Sequence, residues 1–234
     1  MPQPDPPPQP PRFLWLHGFA SGPQSRKGLF LRDRLEERGV HLVIPDLNLP
    51  AFETLTVTRM LGQVDALAQG DGEVVLFGSS LGGFTAATWA ATRPGRTAAL
   101  VLLAPAFGLG ERWSAGMKPE DLARWRREGH FAFDHYATGR KERLDLGFLD
   151  DALTHAPFPL PLAPTLVLQG SHDEVVAPQL AREFTARMQG RARLVELDDG
   201  HELARDLPRL WREIEPLLEP HLPPKGQAPR PTPK

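Results

Sequence analysis

Six short, continuous apolar runs separated by longer stretches of helical period constrain this chain more than any other feature. The runs cover residues 12–16, 41–45, 73–77, 98–103, 165–169 and 193–197. They do not alternate apolar with polar residues, which is the pattern of strands covered on both faces and therefore of a parallel sheet. Between them, residues 26–38, 55–69, 81–93, 178–189 and 208–218 carry apolar groups at helical spacing. The first four stop at Gly39, Gly70, Pro94 and Gly190, residues that supply a left-handed cap or lack the amide a helix needs to continue. Strand and helix in alternation predict an α/β fold, with a mostly parallel central sheet flanked by helices, and no internal repeat interrupts it.

The 234 residues suffice for one domain with a sizeable core, which we place at 12–219. Seven prolines in residues 1–11 and six in 220–234, with few large apolar groups, make both ends extended or disordered tails. One segment breaks the rhythm. Residues 107–161 show no clear strand yet hold Trp113, Trp125, His130, Phe131, Phe133, His135 and Tyr136. A connection this long in a compact domain usually carries helices of its own over a site, so the expectation is a helical cap or lid. Trp113, Trp125, Phe131 and Tyr136 are its candidate substrate-binding residues.

Charge and composition narrow the partners. The 27 basic and 29 acidic residues nearly cancel, which argues against nucleic acid or a polyanionic surface and for a small molecule. The absence of cysteine excludes disulfides, thiolate metal sites and a cysteine nucleophile. The amino terminus lacks the basic start and apolar centre of a secretory signal, and no apolar run is long enough for a membrane span, so the expected location is cytoplasmic. His130 and His135 lack the spacing of a helical metal pair; no metal or cofactor is expected.

The chemistry enters at Gly78-Ser79-Ser80-Leu81-Gly82, a G-x-S-x-G pattern between an apolar run and a helical stretch. In that context the central serine sits in a strained turn above the sheet, and small residues on either side let strand and helix approach closely. Position selects Ser80 over Ser79 as the nucleophile, at a helix amino end that favours developing negative charge. The sequence Trp15-Leu16-His17-Gly18-Phe19 follows the first run, where a second backbone donor is needed. Phe19 and Leu81 are the candidate oxyanion donors, and the place of His17 suits a loop-bracing hydrogen bond better than proton transfer.

Two more strand ends complete the set. Residues 168–176 run from a strand into the polar turn Ser171-His172-Asp173-Glu174, where Asp173 is the candidate carboxylate, ahead of Glu174 and His172. Past the last run, Asp198-Asp199-Gly200-His201-Glu202 offers His201 as the general base, with Gly200 giving it a flexible approach. Ser80, Asp173 and His201 follow one another in the chain order of the α/β-hydrolase triad, unlike the orders of chymotrypsin-like and subtilisin-like enzymes.

On these motifs the chain resembles the α/β-hydrolase superfamily between its two tails. His17, Gly18, Phe19, Ser21, Pro23, Ser25 and Lys27, read with GSSLGG, resemble more narrowly the small bacterial serine esterases and thioesterases of the YqiA type, with some likeness to the abhydrolase-10 group. The resemblance implies hydrolysis of a carboxylic ester or thioester through an acyl-enzyme. A non-catalytic binding protein on the same fold, or acyl transfer or another reaction by the same triad, such as perhydrolysis or carbon–carbon bond hydrolysis, are the alternatives, since fold alone does not fix the reaction.

Overall fold

The computed structural model describes residues 10–70 and 72–224. Six strands build the main sheet: β1 (Arg12–Leu16), β2 (Leu42–Val43), β3 (Val74–Ser79), β4 (Thr97–Leu103), and, past a pair of cap strands, β7 (Thr165–Gly170) and β8 (Ala192–Leu197). Their spatial order is β2-β1-β3-β4-β7-β8, and every neighbouring pair is parallel. The order reverses between β1 and β3, the kind of switch point outside whose strand ends open α/β sheets bind ligands.

Side chains explain why the sheet is covered on both sides. Along β1, Leu14 and Leu16 face one core with Leu76, Leu100, Leu102 and Val167. Phe13 and Trp15 face the other with Val75, Phe77, Val101 and Leu168. Helices α2 (Val57–Leu67), α3 (Leu81–Thr92) and α7 (Pro178–Arg187) cover the first face, and α1 (Arg26–Glu36) and α8 (Leu207–Leu218) the second. β3, β4 and β7 are buried at every position, in keeping with their continuous apolar runs. β2, at the edge, keeps only two residues of the five expected, pairing with β1 at Leu42 and Val43 alone.

The connection between β4 and β7 carries the expected helices and, where no strand was expected, two strands as well. The helices are α4 (Leu109–Gly116), α5 (Pro119–Glu128) and α6 (Gly147–Ala152), and the strands form an antiparallel ribbon of β5 (His130–His135) and β6 (Arg140–Asp145). β5 alternates as a strand should, with Phe131 and Phe133 packed against the core and Ala132 and Asp134 exposed. β6 has a single apolar residue, Leu144, among five charged ones, so its pairing has no hydrophobic signature to read. Most of the proline-rich ends, 1–9 and 225–234, lies outside the described residues. Among the described residues no helix is long and apolar enough to cross a membrane.

Candidate active site

Ser80 stands between β3 and α3 with φ 53° and ψ −115°, a backbone conformation that a non-glycine residue rarely adopts. Its neighbours leave no choice: a Cβ on Gly78 would collide with the Gly82 carbonyl, and one on Gly82 with the Leu16 carbonyl. The turn is fixed further by Ser80 N–H donating to Leu103 O at 2.9 Å and Ala106 N–H to Ser80 O at 3.0 Å. The Ser80 side chain makes no cap bond to α3; its Oγ lies 3.0 Å from His201 Nε2 instead.

His201 lies in the loop after β8, and its Nδ1 is 2.8 Å from Asp173 Oδ2 in the loop after β7. An ionised carboxylate can only accept, so Nδ1 carries the proton and Nε2 is left to accept from the Ser80 hydroxyl. The two loops meet closely enough that a Cβ on Gly170 would strike the Gly200 carbonyl. The flexibility expected at Gly200 is not what the loop uses: its φ is not in the left-handed region, and the close approach falls on Gly170.

Asp173 is buried and heavily solvated by protein. Its Oδ1 accepts the Val175 and Val176 amides at 2.9 and 2.8 Å, and its Oδ2 also accepts Gln169 Nε2 at 2.7 Å. Burial pushes its carboxyl up, but the His201 and Val176 bonds, the histidine's field and the Val175 bond outweigh it and hold the group below the ordinary carboxylate range. Glu174 is exposed, and exposed His172 pairs with Asp198 at 3.0 Å, so neither competes for His201.

His17 is buried and braces the first loop: Nδ1 bonds the Gly18 carbonyl at 2.9 Å, while Nε2 accepts the Leu47 amide at 3.0 Å. With both nitrogens so engaged the ring is neutral, and burial lowers its proton affinity despite Asp46 Oδ1 at 3.7 Å. The register Leu16↔Gly78 sets the following residues beside the serine turn. Among the described residues, neither the Phe19 nor the Leu81 amide donates to a backbone or side-chain acceptor, which leaves both available.

Above Phe19 sits an aromatic collar. Its ring lies 4.9 Å from Trp113, 5.2 Å from Phe52, 5.5 Å from Phe133 and 5.8 Å from Phe148. Of the four aromatic candidates, only Trp113 touches Phe19. Trp125 is fully buried, with its indole N–H on the Leu144 carbonyl at 3.1 Å, so it packs the cap interior rather than lining an open surface. Phe131 packs beside Phe133 under the Arg124 guanidinium, and Tyr136 stands 82% exposed at the ribbon's turn. The sequence reading overlooked Gln169, whose amide spans Asp173 and the Val176 carbonyl from within β7. A lone polar residue closing an apolar strand was the available signal.

Comparison with known proteins agrees with this architecture. Solved structures sharing it include alpha/beta hydrolase domain-containing protein 10 from mouse (22% identity, 91% of each chain covered, TM-score 0.73). Est1E from Butyrivibrio proteoclasticus with ferulic acid bound matches at 21% identity over 93% of this chain and 91% of its own, with TM-score 0.76. The monoacylglycerol lipase of Paleococcus ferrophilus matches at 19% identity over 92% of this chain and 97% of its own, with TM-score 0.70. At such identities the likeness shows the α/β-hydrolase fold. No curated protein matches the sequence. A family model does, across residues 12–217, and the chain belongs to the uncharacterised protein family UPF0227.

Proposed function

We propose that this protein is a serine hydrolase that cleaves a carboxylic ester or thioester of a small molecule through an acyl-enzyme, with residues 107–161 forming a cap over the site. The observation that carries the reading is the unbroken chain Ser80 Oγ, His201, Asp173, at 3.0 and 2.8 Å, assembled from three strand ends. That Est1E binds ferulic acid and that another protein of this fold is a monoacylglycerol lipase supports acyl chemistry here.

The roles follow from the proton inventory. His201 Nε2 takes the Ser80 proton as Oγ attacks the acyl carbonyl, and Asp173 holds the ring in the tautomer that can do so and steadies the imidazolium. The oxyanion is received by the Phe19 and Leu81 amides. His201 then returns its proton to the departing alcohol or thiol, and water repeats the attack to release the acid. The aromatic collar on Phe19 makes the surroundings of the acyl group apolar, which favours an uncharged acyl chain or ring.

The test is turnover of p-nitrophenyl esters from acetate to palmitate, with thioesters alongside, by the wild type and Ser80→Ala at matched circular dichroism. The expected loss in kcat is on the order of 10⁴–10⁶. A wild type that turns over no ester or thioester and does not react with a fluorophosphonate would sink the reading in favour of a binding protein.

A further inference from the structure

The segment Pro23-Gln24-Ser25-Arg26-Lys27 has no part in the acyl chemistry, yet it holds the single lysine that is buried among the described residues. Lys27 is 7% exposed and occupies the first turn of α1. Both circumstances are unfavourable. Burying an ammonium costs several kcal/mol before compensation, and a cation at a helix amino end meets the positive pole of the dipole. Helix formation therefore does not account for a lysine here; its contacts must.

Those contacts lead to the histidine loop. Nζ donates to the backbone carbonyl of Glu202, the residue after His201. The Glu202 carboxylate is 3.7 Å from Nζ but 83% exposed, a pair that solvent screens to little worth. Burial lowers the proton affinity of the ammonium, against which Glu202, Asp199 and Asp173 act. The loop needs an outside support. Leu203 takes φ 48°, a costly conformation for leucine, and the base is closed by Asp199 accepting the Gly200 and Arg205 amides at 2.8 and 2.9 Å. Asp199 ties the two ends together, and Lys27 holds the crest between them, one peptide from the imidazole.

We propose that Lys27 is a positioning residue for His201: by bonding the Glu202 carbonyl, it fixes the height of the histidine loop so that the ring reaches Ser80 and Asp173 together. Ser25 sets the same device from below, accepting Trp15 Nε1 at 3.1 Å and so anchoring the start of α1 to the end of β1. The lysine touches none of the triad side chains; it acts through the backbone of the loop. A displacement of the order of 1 Å between nucleophile and base is enough to cost about 10²-fold in rate.

The inference rests on His201 being the base of the proposed hydrolase, and the test separates the two. Lys27→Met keeps the length and removes the donor, whereas Lys27→Arg keeps a cationic donor. For folded protein, Lys27→Met is expected to lower kcat and the rate of fluorophosphonate labelling by about 10²-fold with KM within about twofold, and Lys27→Arg to recover about tenfold of that loss while staying below the wild type. The second readout is the His201 Nδ1–H proton, which its bond to Asp173 moves downfield in the NMR spectrum whether or not any substrate turns over. It should broaden or vanish in Lys27→Met. If that variant does not fold, Lys27→Arg carries the test through a lowered kcat at unchanged KM together with a perturbed Nδ1–H signal. A variant with wild-type kcat, or one whose Nδ1–H signal is unchanged, overturns the proposal. An intact signal in the wild type that is lost in Lys27→Met, in a protein that hydrolyses nothing, would uphold the positioning role and reject the hydrolase.

Discussion

At the serine and histidine loops backbone is pressed on backbone, whereas residues 107–161 join the rest of the fold largely through side chains. At Gly78, Gly82 and Gly170 an added methyl group would meet a carbonyl oxygen of the facing segment. The cap instead rests on the collar around Phe19 and on a few polar ties: Thr58 N–H to Asp151 Oδ2 at 3.0 Å, Arg143 to Glu53 at 3.3 Å, and Ala137 N–H to the Ala20 carbonyl at 3.2 Å. Apolar packing tolerates a change of shape at fixed volume far better than backbone contact tolerates an extra atom. The proposed chemistry thus sits where the chain is least adaptable, and the proposed substrate surface where it is more so.

Gly82→Ala should break this division most severely. The new Cβ would collide with the Leu16 and His17 carbonyls, at the turn that presents Ser80 and next to the loop that offers the Phe19 amide. Overpacking against backbone should cost about 3 kcal/mol in stability. Any misplacement of an oxyanion donor should add a loss in kcat of at least about 10²–10³-fold in the protein that remains folded. Urea unfolding paired with ester turnover measures both; a folded, fully active Gly82→Ala would mean that the backbone contact is not what shapes the turn.

Trp125→Ala attacks the other region. The indole fills the centre of the cap, 6.0 Å from Trp113 and 5.3 Å from Phe133, and its removal should cost about 3–5 kcal/mol from lost burial and the cavity left behind. Because no triad atom leans on it, kcat at a temperature where the variant stays folded should fall by less than about tenfold, while KM rises. A collapse of kcat at unchanged KM would show that the cap shapes the triad as well as the substrate surface.

The same contrast governs what could be read in advance. The main sheet was legible because its central strands are buried on both faces and each site loop begins at a strand end: β1 runs over the residues its apolar run marks, and Ser80, Asp173 and His201 come together where the chain order suggests. Backbone approach leaves glycines behind as a trace. The ribbon was not legible, because β6, with one apolar residue, rests on Phe133 of its partner strand and on Trp125 of α5. The aromatic content there suggested a lined pocket, but in Trp125 it is interior packing. Lys27 and Gln169 were unreadable in role for a third reason: each is a polar residue in an ordinary helix or strand whose partner, Glu202 O or Asp173, lies far off in sequence or depends on a side-chain direction that spacing does not encode.

Acid should sharpen the comparison with the smallest effect, since it loosens the backbone-held region first. His17 is neutral when folded, with burial depressing its proton affinity, and the nearby His135, itself buried against Phe52 with its Nδ1 unpartnered, opposes protonation further. A base whose folded pKa lies below its unfolded one contributes no penalty above the ordinary imidazole value of about 6.5. As the pH falls from there through the folded value, the unfolded chain takes up the proton more readily, and stability declines. Protonation also puts a hydrogen on Nε2 where the Leu47 amide now donates. Asp173, held low, acts in a separate window: its contribution is present above the ordinary carboxylate range of about 4 and is lost only as the pH falls below it. The urea midpoint should therefore drop between pH 7 and pH 5 in the wild type and drop less in His17→Gln, with amides 17–22 and 46–48 exchanging ahead of those in the cap. Equal slopes for the two proteins, or earlier exchange in residues 107–161 as the pH falls, would mean that the His17 brace is not the first acid-sensitive contact.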